Sequence, residues 1–511
     1  MPTPQPRFSF DIRLLMAAYA LLLLIAVLAL PLRIEELLQL LASRQHSFMG
    51  FLKWIPKAPG SAPLNYFVQF PFVFALRPSR LATRLPSLLF GLASCYLFLR
   101  LAKLIPLRSP YLALAVFLLL PVQYRAATEG LPFEQALCLL LVATLLFLRL
   151  IRTPTVTLSA WYAAVLTLCL YTDRYSYLPA IGYLLFLFAF VNRSHERRVI
   201  WYALPATAAP VLLFVPYYLW AYPLVSSNWL FAPAPAGTPS SLYLQALQHF
   251  AGYGLTSWAL SALLIVGLFA GAWSLFRTAP GAPPSRAPMP ALPKSIALFC
   301  LFGGAISTIC VVLVLDAWSK YPFRANQILW AMPAVVLLSF AALERLAQAR
   351  KRSSWIPAAA ALLLALCLVA DAQYAATITE DLPTAALQIR PRLFGDSCVV
   401  FVSQRLSRNL FLLFDPGLQS RECGNFFHHR IVLASHAYVT SFQQEDAESF
   451  FRGLNFTESK RTPAGGGQIV EMVNNDERGA ATPKGESQPA ATPPLPIPGA
   501  PIAPAAPPTP R

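Results

Sequence analysis

The chain has 511 residues, 56% of them hydrophobic and 12% charged, with a formal net charge of +17 and a mean hydropathy of +0.54. Ordinary soluble domains carry roughly a quarter charged residues, so a soluble globular protein is excluded and a polytopic membrane protein is expected. The basic residues fall in short clusters between apolar runs, which is the pattern of cytoplasmic loops, and this argues against nucleic acid as a partner.

The first apolar segment, Leu14 to Leu32, exceeds a signal-peptide core and has no small-residue cleavage site before the polar loop, so it is expected to remain as an anchor. Eleven spans are expected, near 13–32, 81–102, 109–125, 132–149, 157–173, 175–192, 199–222, 251–276, 295–317, 326–346 and 354–376. Each is close to the ~20 residues that cross ~30 Å of hydrocarbon. Leu64 to Leu76 is also apolar but ends at Arg77. As a helix it would be only ~20 Å long, so a re-entrant or interfacial helix is expected there. With the N-terminus inside, the clusters at Lys103/Arg108, Arg149/Arg152, Arg193/Arg197/Arg198, Arg277/Arg286/Lys294 and Arg345/Arg350/Lys351/Arg352 are all cytoplasmic, as the positive-inside rule requires.

The opposite, extracytoplasmic face then holds the loop from Arg33 to Arg84, the stretch Tyr124 to Glu129, the tight Asp173-Arg174 turn, a loop from Pro223 to Phe250, and Ser319 to Arg324. Two proline-rich stretches, Thr278 to Pro293 and Thr482 to Arg511, lack apolar periodicity and are expected to be flexible. Residues 377–475 are expected to form a small extracytoplasmic α/β domain after a transmembrane domain over 1–376, with a disordered tail over 476–511. In it Cys398 to Val402, Arg430 to Ala434 and Gln468 to Val473 alternate or run apolar as strands do, and Asp446 to Leu454 is amphipathic. Six cysteines lie in apolar segments as small hydrophobes. Only Cys398 and Cys423 fall in the polar region, where an oxidising compartment would permit a disulfide that spacing alone does not prove. His428, His429 and His436 are too loosely grouped for a ligand set and read as surface histidines.

The first outer loop breaks the positive-inside pattern, with Arg33, Arg44, Lys53, Lys57, Arg77, Arg80 and Arg84 against Glu35 and Glu36. Any one of these cations could snorkel to lipid headgroups. The whole set is better explained by an anionic ligand. A carboxylate at the bilayer edge can act as general base toward an acceptor hydroxyl. A phosphate leaving group needs positive charge, which arginine supplies in bidentate form. Taken alone, Glu35 and Glu36 could instead pair with Arg33 or Arg44 at a helix start, Asp173 with Arg174 in a turn, and Arg324 could be an interface anchor.

The order of short motifs resembles the GT-C superfamily of polyprenyl-phosphate-sugar-dependent glycosyltransferases, in the branch of protein O-mannosyltransferases and the lipid A aminoarabinose transferase. Glu35-Glu36 matches the acidic pair after the first span, and Ala62-Pro63-Leu64-Asn65-Tyr66 resembles a Pro-Pro-Leu-Tyr-Tyr element. Arg84-Leu85-Pro86-Ser87 is identical to the family's Arg-Leu-Pro-Ser. Glu129 to Phe133 is similar to a Glu-x-x-Pro-aromatic element, Leu170 to Asp173 to a short outer turn, and Arg324 to Pro333 to a late Arg-Tyr-x-x-Pro-x-x-Pro segment. The chain departs from the pattern where Glu35 replaces an aspartate and where Leu131 and Asp173 replace arginine or histidine; one methylene moves a carboxylate by ~1.5 Å, enough to matter in a tight geometry.

The resemblance covers about 11–376 and implies a GT-C fold, a membrane glycosyltransferase and inversion at the sugar. It implies Glu35 as base, Glu129 as orienting acceptor or metal, and Arg84, Lys320 and Arg324 as holding the donor phosphate. The candidate catalytic residues are therefore Glu35, Glu36 and Glu129. The candidate donor-phosphate residues are Arg33, Lys57, Tyr66, Arg84, Asp173, Arg174, Lys320, Tyr321 and Arg324. No metal ligand is named and no cofactor is certain, though a divalent ion stays open. The implied partners are a polyprenyl-phosphate-linked sugar donor, membrane lipids, and an acceptor glycan, lipid or protein. Two other classes compete. A lipid-linked oligosaccharide ligase or polymerase would be expected to show a long late outer loop, and an oligosaccharyltransferase a Trp-Trp-Asp element that this chain lacks. A transporter would be expected to carry inverted repeats and mid-span charges.

Overall fold

The computed structural model describes residues 12–43, 47–55, 63–105, 107–191, 198–226, 254–277, 294–319, 329–352, 354–377, 381–402, 404–424, 428–436, 439 and 441–475. Both proline-rich stretches of the sequence fall outside these residues.

The bundle opens with α1 (Ile12–Ala29) and continues through α2 (Ile34–Ser43), α3 (Phe48–Trp54), α4 (Leu64–Leu76) and α5 (Arg80–Leu104). It goes on through α6 (Pro110–Leu118), α7 (Pro121–Thr128), α8 (Phe133–Arg152), α9 (Val156–Thr172), α10 (Leu178–Val191) and α11 (Arg198–Ser226). The last four helices are α12 (Gly254–Arg277), α13 (Lys294–Ser319), α14 (Met332–Ala349) and α15 (Trp355–Thr377). A helix stands at each of the eleven apolar positions read from the sequence. Among the described residues six helices are long and apolar enough to cross a membrane, and seven if α6 and α7 count as one span bent by 63°. The chain is a multi-pass integral membrane protein.

The core runs through the bundle, with Phe98 stacked on Phe117 at 4.2 Å between ring centres and Trp330, Tyr162 and Phe147 buried in it. Helices α10 and α13 approach closely because Gly182 faces the Gly303 carbonyl, where a Cβ would stand only 2.2 Å from the oxygen. Small residues give this kind of contact where lipid removes the hydrophobic drive between helices.

The stretch Tyr124 to Glu129, expected on the extracytoplasmic face between two spans, lies largely within Pro121–Thr128, a helix whose eight residues are all buried. Pro121 sits at its first turn, where a missing N–H costs nothing, so the proline starts a new helix rather than a loop. The 13-residue α4 occupies its expected bounds and packs against α2, α5 and α9.

After α15 comes α16 (Leu382–Ile389), then β1 (Ser397–Phe401), α17 (Gln404–Phe414), β2 (Arg430–Ala434), α18 (Ser441–Gly453), β3 (Phe456–Ala464) and β4 (Gly467–Asn474). The sheet order is β1-β2-β4-β3, with β1 and β2 parallel and the other pairs antiparallel. Cys398 and Cys423 are joined by a disulfide. Three elements of this module are absent from the sequence reading, α16 among them. Strand β3 is an edge strand with an exposed middle and Pro463, so it shows no apolar alternation. Helix α17 is amphipathic over only eleven residues. His436, read as a surface residue, is buried, and burial lowers its pKa to about 4.

Candidate active site

The short link between α1 and α2 brings the last turn of one helix against the first turn of the next. Glu36 is the third residue of α2, and its Oε2 accepts the Arg33 backbone N–H at 2.9 Å, as in a capping box. Arg84 enters from α5. Its Nε and Nη2 donate to Glu36 Oε1 and Oε2 at 2.7 and 2.6 Å. The same guanidinium donates to the carbonyls of Leu30 at 2.7 Å, Pro31 at 2.6 Å and Val27 at 3.3 Å. These carbonyls lie at the C-terminal end of α1, where the helix supplies no donors of its own. Glu36 Oε1 also accepts the Gly130 N–H at 2.7 Å. One buried ion pair thus ties four segments together, with its side chains 0% and 1% exposed.

Gly130 is required by this closure. A Cβ there would stand 2.6 Å from the Thr83 carbonyl oxygen. Ser87 Oγ donates to the Leu131 carbonyl at 3.4 Å, so Arg84 and Ser87, one turn apart on α5, both face the acidic turn. Gln69 of α4 donates to the carbonyls of Thr83 at 3.1 Å and Gly130 at 3.4 Å, and Ser43 of α2 donates to its Oε1 at 2.8 Å.

Glu35 and Glu129 lie around Arg33. Arg33 Nη1 donates to Glu129 Oε1 at 2.9 Å, and its Nε stands 3.9 Å from Glu35 Oε2. The Tyr374 hydroxyl of α15 donates to the same Glu129 oxygen. Arg125 lies over the Tyr374 ring at 4.0 Å. Burial pushes the Glu129 carboxyl up, but Arg33, then Tyr374, outweigh it and hold it below the ordinary range. Glu129 in turn raises the Arg33 guanidinium. Glu35 is the less buried member of the acidic pair, its side chain 39% exposed against 0% for Glu36, although its Oε2 is itself buried and accepts no hydrogen bond among the described residues.

Of the other sequence-predicted residues, the described ones, Asp173, Arg174 and Tyr66, stand apart. Asp173 caps a single 3-10 turn, accepting the Tyr175 N–H at 2.7 Å, and burial raises its pKa to about 6 against the pull of that bond and Arg174. Arg174 is exposed and reaches the Tyr218 hydroxyl at 3.3 Å, beside an aromatic group of Tyr171, Phe214 and Tyr217. Tyr66 is buried with Phe51 and Ile55 where α3 meets α4. Lys57, Lys320, Tyr321 and Arg324 lie outside the described residues. Among the described residues no group of three or more metal-binding side chains occurs. The sequence reading missed Arg125, Tyr374 and Gln69. An acid inside the last apolar run, Asp371, was the available signal near Tyr374. Gln69 carried none.

No protein-family model and no curated protein matches the chain. Solved structures do. The crystal structure of ArnT from Cupriavidus metallidurans in the apo state is 14% identical, covering 92% of this chain and 99% of that one, with a TM-score of 0.55. The same protein bound to undecaprenyl phosphate is 13% identical, covering 93% of this chain and 100% of that one, with a TM-score of 0.52. The chain has the ArnT fold. The match runs over nearly the whole of both chains, and the polytopic helical fold with a small C-terminal α/β domain expected from the sequence is the one observed. At this identity the ArnT likeness concerns the fold alone.

Proposed function

We propose that this protein is a membrane glycosyltransferase. It moves a sugar from a polyprenyl-phosphate donor to an extracytoplasmic acceptor that is a lipid, a glycan or a protein, with inversion. The observation that carries this reading is the division of the acidic pair. Glu36 is consumed by the frame, while Glu35 stands part-exposed beside a cation on an ArnT fold, and ArnT has been crystallised with undecaprenyl phosphate.

In this reading Glu35 takes the proton from the acceptor hydroxyl as its oxygen attacks the anomeric carbon. The bond from that carbon to the phosphate oxygen breaks on the opposite side, and its electron pair leaves with the polyprenyl phosphate. Charge developing on the phosphate is met by Arg33, which is part-exposed, with Lys57, Arg174, Lys320 and Arg324 as further cationic candidates and the Tyr321 hydroxyl as a neutral hydrogen-bond donor. Arg84 has both its carboxylate bonds and its carbonyl bonds filled internally, so its contacts support positioning of the acidic turn rather than a grip on phosphate. Glu36 shares that positioning role. Glu129 holds Arg33 in place and keeps its own negative charge through Arg33 and Tyr374. The cysteine pair supports an oxidising, extracytoplasmic side for the C-terminal module.

The test is mass spectrometry of lipids retained by protein purified gently from its own membranes, beside a Glu35→Gln variant. A polyprenyl monophosphate carrying one sugar, accumulating in the variant, is the expected result. A diphosphate-linked oligosaccharide would move the protein to the ligase class. Bulk phospholipid alone in both samples would count against a donor of this kind.

A further inference from the structure

The disulfide between Cys398 and Cys423 closes a loop, and α17 lies inside it. That helix packs on α2, the helix that carries Glu35 and Glu36. Leu410, Phe411 and Leu413 of α17 share one buried apolar cluster with Leu32, Leu37 and Leu40 of the α2 region. The other face of the sheet has its own cluster, around Phe451 and Phe456. Among the described residues, only the first of these two cores of the C-terminal module is shared with the bundle.

The closed loop is tied a second time. Arg408 Nε donates to both carboxylate oxygens of Glu422, at 2.9 and 2.8 Å, and the Cys423 N–H to the Val399 carbonyl at 3.1 Å. A latch lies beside the shared cluster. Arg80, at the start of α5, donates to Asp381 Oδ1 at 2.9 Å and to the Leu28 carbonyl at 3.3 Å. Helix α2 has ten residues, and a helix this short is marginal without packing. Glu36 and Arg84 pin its first turn, and Leu37 and Leu40 are its packing on the module side.

We propose that the disulfide-closed segment 398–423 is a positioning element for the acidic pair. It presses α17 against α2 and so sets where Glu35 stands relative to Arg33 and Glu129. Its consequence for donor binding rests on the glycosyltransferase reading, whereas the coupling between α17 and α2 does not.

The test uses the full chain in lipid nanodiscs. Hydrogen–deuterium exchange is compared for the oxidised protein, the thiol-reduced protein and the Cys398→Ser/Cys423→Ser variant. Peptides covering 34–43 and 404–414 are expected to lose protection together, by about tenfold in exchange rate, while α8 is unchanged. The dissociation constant for undecaprenyl phosphate is expected to rise about fivefold, as a less preorganised site requires. Reduction could loosen the whole module, so Leu37→Ala is the second variant. It leaves the disulfide intact and is expected to deprotect 34–43 with strands β1 to β4 still protected, and Leu37→Met, which restores volume, is expected to rescue it. The proposal is overturned if 404–414 opens on reduction while 34–43 keeps its protection, or if Leu37→Ala leaves 34–43 unchanged. Coupled exchange in a protein that binds no undecaprenyl phosphate would uphold the coupling and sink the donor assignment instead.

Discussion

Replacing Glu36 by glutamine keeps the shape of the side chain and removes a charge whose partner has no route to water. The anion accepts four N–H groups: two from Arg84, one from the Arg33 backbone and one from Gly130. A glutamine offers one acceptor oxygen and turns an NH2 toward donors on the other side. Removing one member of a buried ion pair costs about 3–5 kcal/mol, because the remaining charge is left uncompensated. At about 2 °C per kcal/mol, the lower end for larger domains, Glu36→Gln is expected to lose about 6–10 °C in melting temperature. The assay is the fraction of protein that stays monodisperse in detergent after stepwise heating. Glu35→Gln is the control, since Glu35 keeps only a 3.9 Å approach to Arg33 and a part-exposed pair of this kind is worth about 0–1 kcal/mol. It is expected to melt within about 2 °C of wild type while losing transfer activity. A Glu36→Gln protein that melts like wild type, or a Glu35→Gln protein that falls as far, would refute the division of roles.

Three further predictions concern the frame and the module. Gly130→Ala places a Cβ against the Thr83 carbonyl oxygen at 2.6 Å, so the acidic turn must shift; transfer activity should drop by at least about tenfold, a misplacement effect, and a variant of full activity would refute the closure. Tyr374→Phe removes a donor that helps hold the Glu129 pKa down, so the folded value rises and the acid limb of the pH–rate profile should move to higher pH; an unmoved limb would sever Tyr374 from Glu129. The stability that ionised Glu129 contributes is present above the ordinary value of about 4.3 and is lost as pH falls through its lower folded value. His436 is held neutral by burial to about pH 4, so between about pH 6.5 and that value the unfolded chain binds the extra proton and the module loses stability as pH falls. Exchange protection of β1 to β4 should therefore weaken from pH 7 to pH 5, and His436→Gln should flatten that dependence.

Local features of this chain were legible from its residues alone. Apolar length marks where helices stand, and the stop at Arg77 marks α4 as too short to span, because both follow from the thickness of hydrocarbon and the rise of a helix. Alternation marks β1, β2 and β4, and charge placement marks the end of the bundle where acids and cations gather. The partition of neighbours was not legible. Glu35 and Glu36 are adjacent and chemically identical, and only the arrival of Arg84, 48 residues on, makes one structural and leaves the other less buried. Tyr374 reaches Glu129 across 245 residues, and α17 reaches α2 across more than 360 positions of sequence. A sequence states what each side chain can donate, accept or bury. Which partner satisfies it depends on helices meeting in three dimensions, and in this protein that meeting separates the carboxylate that holds the frame from the one left part-exposed.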